Sequence, residues 1–151
     1  MPNFLAGLGL TCSNAGPILA SSFICLDAAA SVGDIFNARM ATAAGDVICG
    51  ISQQGTDNPP NLFNALTNGL FNPPAVAAAT GEAITTFGMG DIAPLQLGAL
   101  GCSTGDLLIT DGSGFGKKTT GAGQYAGALA LQNGNAFDII SVLILSPGTK
   151  T

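Results

Sequence analysis

The sequence predicts an all-β domain, a compact β-sandwich or β-barrel of short antiparallel strands. Two observations carry that reading. One phrase, a small residue, then usually Gly, then an acid, then apolar residues, is written five times: Ser31-Val32-Gly33-Asp34-Ile35-Phe36, Ala43-Ala44-Gly45-Asp46-Val47-Ile48, Ala79-Thr80-Gly81-Glu82-Ala83-Ile84, Ser103-Thr104-Gly105-Asp106-Leu107-Leu108 and Asn135-Ala136-Phe137-Asp138-Ile139-Ile140. Gly supplies the positive φ of a tight turn, Asp can bond the nearby backbone, and an aliphatic run suits a pleated, half-buried surface. The second observation is a series of short apolar runs bounded by turn residues at a spacing of roughly 8 to 12, the pattern of a sandwich or barrel. Distances between phrases (12, 36, 24 and 32 residues) are too irregular for a solenoid.

Residues 1–20 read as an extended N-terminal arm. Gly7, Gly9, Ser13, Asn14, Gly16 and Pro17 interrupt Phe4, Leu5, Leu8 and Leu10 too often for a helix. The single β domain then runs over 21–151. Its candidate strands are Ser22–Leu26, Asp34–Met40, Asp46–Ser52, Glu82–Phe87, Ala93–Gly98, Asp106–Thr110, Gln124–Gln132 and Ile139–Leu145. The Ala-rich stretches Leu26–Val32 and Val76–Thr80 fit short helical turns. Residues 53–75 form an inserted loop flanked by Pro59-Pro60 and Pro73-Pro74, because paired prolines cannot sit inside a central strand. A loop this long inside a compact domain is usually functional, which makes it a candidate contact surface. Phe4, Leu5 and Leu8 in the arm, with Leu62, Phe63 and Phe71 in the insertion, are the candidate partner interface.

Composition excludes more than it proposes. Only 9% of the 151 residues are charged, against roughly a quarter in an ordinary soluble domain, while 47% are hydrophobic. A surface so poor in charge reads as one covered by neighbours, hence a subunit of an assembly. The four cations, Arg39, Lys117, Lys118 and Lys150, are too few and scattered for phosphate contacts, so no nucleic acid is expected. Mean hydropathy is +0.47. Even so, no run of about 18 apolar residues exists, so no membrane span is expected, and the N-terminus lacks the cationic start of a secretory signal.

Candidate chemistry is thin. With no His, a nucleophile would depend on a carboxylate or a lysine. Five of the nine acids belong to the turn phrase, and of the four outside it Asp91 and Asp111 are the free carboxylates to inspect. Gly112-Ser113-Gly114-Phe115-Gly116-Lys117-Lys118 misses phosphate-loop spacing and reads as a β-turn with two solvated lysines. Cys12, Cys25, Cys49 and Cys102 are widely spaced and read as buried free thiols rather than metal ligands. Neither cofactor nor metal is expected, and the chain is not expected to be an enzyme.

The succession "AAGDVICGIS", "ATGEAITTFG", "LGALGCSTGDLLITDGSGFGKK" and "YAGALALQNGNAFDIISVLIL" resembles the capsid decoration proteins of tailed bacteriophages, also called cement or head-stabilising proteins. The likeness covers roughly residues 20 to 146 and lies in the order of the phrases. Phe137 stands where the pattern has Gly, and 53–75 is an insertion relative to it. The resemblance implies a β-rich, non-catalytic subunit, a homotrimer on three-fold or quasi-three-fold positions of the virion's outer capsid surface. It implies synthesis in the host cytoplasm and the major capsid protein as partner. Two other readings compete: a tail or fibre component, and a soluble carbohydrate-binding β-domain, for which Tyr125 without any Trp is thin support.

Overall fold

The computed structural model describes residues 10–12, 16–27, 36–43, 45–53, 76–78 and 80–151. Their strands, in chain order, are β1 (Leu10–Cys12), β2 (Ile18–Leu19), β3 (Phe23–Leu26), β4 (Phe36–Met40), β5 (Ile48–Ser52), β6 (Val76–Ala78) and β7 (Ala83–Ile84). There follow β8 (Thr86–Phe87), β9 (Ile92–Gln96), β10 (Leu107–Thr110), β11 (Gly116–Lys118), β12 (Ala128–Ala130) and β13 (Ile139–Ile144). The all-β class read from the sequence is what the chain adopts.

Two main sheets face each other. One has six strands in the order β7-β1-β4-β3-β5-β8, the other five in the order β11-β10-β12-β13-β9, and β2 pairs with β6 alongside. All named pairs are antiparallel except β1 with β4. The core is the aliphatic filling between the sheets: Phe23, Cys25, Ile48 and Ile51 from one side meet Leu95, Leu97, Leu108, Ile140, Val142 and Ile144 from the other. Alternation along β13 explains its half of this layer, since Ile140, Val142 and Ile144 point in while Ile139 and Ser141 point out. Thr110, buried among them, donates its hydroxyl to the Ala41 carbonyl and ties the sheets together.

The five-stranded sheet curls until its two edges approach. Leu97, just past β9, forms a parallel bridge with Gly116 of β11, and Gly98 N–H donates to Gly116 O at 2.9 Å. Where the edges splay, the Ser21–Phe23 segment fills the gap: Gln96 N–H donates to Ser21 O at 2.9 Å, and Phe23 N–H to Gly114 O at 2.7 Å. Ser21 takes a left-handed φ of 54° there. Beside it, Ser52 Oγ accepts from Ser22 N–H at 3.1 Å and donates to Leu19 O at 2.6 Å, and Ser22 Oγ reaches the same carbonyl at 2.7 Å. A buried polar seam thus leaves no donor unmatched.

Several elements differ from the sequence reading. Val76–Ala78 is strand β6 rather than a helical turn, because its backbone pairs with β2. Leu26–Val32, the other helical-turn candidate, lies outside the described residues from position 28 onward. Lys117 and Lys118 belong to strand β11, whose pairing with β10 overrides a polar composition. Glu82–Phe87 is interrupted at Thr85, and Gln124–Gln132 shrinks to Ala128–Ala130. Of the segment read as an arm, residues 10–12 and 18–19 are strands: β1 lies between β7 and β4, and Ile18 of β2 is fully buried.

Candidate interaction face

Four aspartates build one reciprocal turn. The N–H of Asp46, Asp91, Asp106 and Asp138 donates to the carbonyl three residues back, on Ala43, Gly88, Ser103 and Asn135. In return each carboxylate accepts that same residue's N–H, at 3.0, 2.9, 2.8 and 2.8 Å respectively. An acid in this place therefore satisfies a backbone donor as the chain enters β5, β9, β10 or β13. Asp91, expected to be free, is one of the four. Asp111 is engaged too, its Oδ1 accepting from Ser113 N–H at 2.7 Å and Phe115 N–H at 3.1 Å. The structure gives both to turns.

The residue before the aspartate has a positive φ in three of these turns: Gly90 at 85°, Gly105 at 88° and Phe137 at 66°. Phe137 is the exception in kind, a bulky side chain in a conformation costing about 1–2 kcal/mol for L-residues. It is also 64% exposed, so no core packing offsets that cost.

Phe137 opens onto β13, and β13 with β9 forms an apolar ribbon. Cross-strand partners share a face, so the pairs Leu143↔Ile92, Ser141↔Pro94 and Ile139↔Gln96 all point outward. Ile92 and Ile139 are 64% and 57% exposed. Among the described residues eight large hydrophobic side chains are exposed, and six of them (Met89, Ile92, Leu100, Leu131, Phe137 and Ile139) lie on this ribbon, its end turns or the adjoining end of β12. Clustering of this kind, unlike scattered exposure, marks an interaction surface. The sequence holds one signal for it. Ile139 to Ile144 is apolar on both faces, whereas an antiparallel strand with one wet face alternates.

The residues singled out from sequence fare differently. Phe4, Leu5, Leu8, Leu62, Phe63 and Phe71 lie outside the described residues. Lys118 is ion-paired with Asp106 at 2.9 Å rather than simply solvated. Tyr125 is half-buried, with Lys150 Nζ over one face of its ring at 5.3 Å from the centroid. Cys25, Cys49 and Cys102 are free thiols, but only Cys25 is fully buried. Burial first, then the nearby Asp46 carboxylate, pushes the Cys25 thiol up to about 12, so it behaves as an inert apolar group. Among the described residues no group of three His, Cys, Asp or Glu could hold a metal ion, and no helix is long and apolar enough to cross a membrane.

Arg39 and Asp46 form the best-buried ion pair among the described residues. The guanidinium holds the carboxylate in a fork, Nη1 to Oδ2 at 2.9 Å and Nη2 to Oδ1 at 2.6 Å. Partial burial alone would raise the Asp46 carboxyl. The Arg39 fork and the N–H groups of Ala43 and Thr42 outweigh it and hold the group below its ordinary value.

No family model matches the chain, and no curated protein matches it either. Among solved structures it is similar to the N base of the head fiber gp8.5 of bacteriophage phi29, with a TM-score of 0.49 and 14% identity over 95% of this chain and 98% of that one.

Proposed function

We propose that the chain is a capsid decoration protein of a tailed bacteriophage, a non-catalytic subunit that binds the outer surface of the assembled head and stabilises contacts between major capsid protein subunits, as a homotrimer at three-fold or quasi-three-fold positions. One observation carries the reading: the phrases on which the resemblance rests fall, in order, on turns that launch strands. Gly45-Asp46 leads into β5, which contains Gly50-Ile51, and Gly81-Glu82 leads into β7 and β8. Gly105-Asp106 leads into β10, the Gly112–Gly114 turn follows, Gly127 precedes β12, and Asp138 launches β13. Gly33-Asp34 lies outside the described residues.

The physical chemistry favours such a role. A molecule that binds only the assembled lattice stabilises that lattice by mass action. A surface with so few charges can become interface without burying unpaired ions.

Expanded heads purified without this chain provide the test. Added chain is expected to sediment with them at saturating stoichiometry and to raise the temperature at which they release DNA. Light scattering of the free chain is expected to give three times the 14.9 kDa chain mass. Failure to bind the heads removes the reading; a free monomer that binds them removes only the preassembled trimer.

A further inference from the structure

We infer that Asn133-Gly134 is a spontaneous deamidation site that the fold holds closed: the Cys102–Gly134 bridge must open before the Gly134 nitrogen can attack the Asn133 side chain. The inference stands apart from the decoration reading and concerns the lifetime of the folded chain.

Asn followed by Gly is the pairing in which this reaction meets least hindrance, because glycine brings no Cβ to crowd the approach. Gly134 N bonds to Asn133 Cγ, the Cγ–Nδ2 bond breaks, and the proton lost by Gly134 N leaves with Nδ2 as ammonia. Water then opens the cyclic imide at one carbonyl or the other, giving aspartate or isoaspartate at position 133. Nothing is oxidised or reduced, and water is the only co-reactant.

Three observations place the pair under structural control. Asn133 is exposed, in the connection between β12 and β13, so water and base reach it. Gly134, however, forms an isolated antiparallel bridge with Cys102. Its N–H donates to Cys102 O at 3.1 Å, and its carbonyl accepts from Cys102 N–H at 2.9 Å. An amide proton held in that way is not given up to base until the bridge opens. The Asn133 side chain is held as well, its Oδ1 accepting from Thr104 N–H at 2.8 Å and from the Thr104 hydroxyl at 3.2 Å.

The same contacts explain why a labile pair stands here. A Cβ on residue 134 would lie 2.5 Å from Ile140 Cγ2 and 2.8 Å from Leu97 Cδ1, two buried side chains, so glycine is the residue that fits. Asn133 in turn supplies the acceptor for the Thr104 N–H, in the turn that launches β10. Isoaspartate would insert one extra main-chain atom just ahead of Gly134. The bridge to Cys102 would then fall out of register, and Gly134 would no longer seat against Leu97 and Ile140. Opening is thus followed by a change that prevents reclosure, which makes the site a one-way clock on the native state.

The test incubates the full-length chain in mildly alkaline buffer, native and in urea, and follows position 133 by peptide mapping that separates the aspartate and isoaspartate products. Exchange of the Gly134 amide is measured under the same native conditions. Both processes begin with loss of the same proton. Deamidation is therefore expected to slow, from urea to native buffer, by the Gly134 protection factor, at least tenfold. Gly101→Ala provides a second chain, since a Cβ there would lie 2.5 Å from Gly134 O and push on the bridge. Its faster Gly134 exchange is expected to be matched by faster deamidation. Circular dichroism checks its fold; if it does not fold, the wild-type comparison decides alone. Equal rates in native buffer and urea overturn the inference, as does the absence of conversion at 133 in urea. A slowing that departs from the protection factor by more than about tenfold, in either folded chain, overturns it too.

Discussion

Phe137 and Gly105 occupy the same place in two copies of one turn, each immediately before an aspartate that binds back to the residue three positions earlier, and both adopt positive φ, 66° and 88°. The backbone geometry is thus set by the turn and not by the residue that fills it. Glycine enters that conformation freely; phenylalanine does so against its Cβ.

Replacing Phe137 by Gly is therefore expected to stabilise the free chain while weakening attachment. Relief of about 1–2 kcal/mol of strain is partly offset by about 0.5–1 kcal/mol of added unfolded-state entropy. The net gain raises Tm by about 1–4 °C in a chain of this size. Calorimetry of the variant beside head binding checks both halves. A lower Tm would show that the aromatic ring supports the fold.

At Gly127, side chains of the six-stranded sheet reach the backbone of the segment that enters β12. A Cβ there would lie 2.6 Å from Ile48 Cδ1 and 2.9 Å from Phe23 Cε1, inside the core. Gly127→Ala is expected to cost about 1–3 kcal/mol by overpacking, read as a lower denaturant midpoint with unchanged slope. Gly123→Ala makes an informative contrast: that site is open, and any loss there reports only its φ of 83°.

How much of this was legible in the letters follows from how local each feature is. The turns were readable because Gly and Asp carry their own conformational instructions, so Gly45-Asp46 and Gly105-Asp106 appear where expected. Strand β11 was not, since Gly116-Lys117-Lys118 becomes a strand only through pairing with β10. Alanine at 77 and 78 favours a helix in isolation, and pairing with β2 overrules it. Residues 124–126 read as strand but bond instead to residues 149–151, through the Tyr125–Lys150 bridge and Ala126 N–H to Thr149 O at 2.9 Å. The candidate face was half visible. Phe137 stood out as a departure from its phrase, whereas the exposure of Ile92 and Ile139 depends on what no sequence pattern states, namely which side of a doubly apolar strand is left uncovered.

Ser52 joins the seam between the sheets, with its Oγ between Ser22 N–H and Leu19 O and no exposure to solvent. Ser52→Ala leaves the Ser22 N–H buried without that acceptor, so a loss of about 1–3 kcal/mol is expected. Hydrogen exchange gives the sharper readout: protection of the Ser22 amide should fall more than that of amides in β13. Uniform loss across the chain would mean that the seam is not a local weak point.

Asp46 sets the response to acid. Its folded-state carboxyl lies below the ordinary value because Arg39 and two N–H groups outweigh the effect of burial, and Asp106 is shifted the same way by Lys118 and the Ser103 N–H. A group depressed on folding stabilises in its ionised form. Its contribution is complete well above the unfolded value of about 3.9 and drains away as pH falls through that value to the lower, folded one. Stability is therefore expected to hold from neutral pH to about pH 5 and then to decline steadily with further acidification. Asp46→Asn should be weaker at pH 7 by about 1 kcal/mol, a figure discounted for the pair's partial exposure, and should decline less between pH 5 and pH 2. Urea midpoints for both chains across that range test the assignment. Parallel declines would place the acid sensitivity in Asp106 or another carboxylate instead.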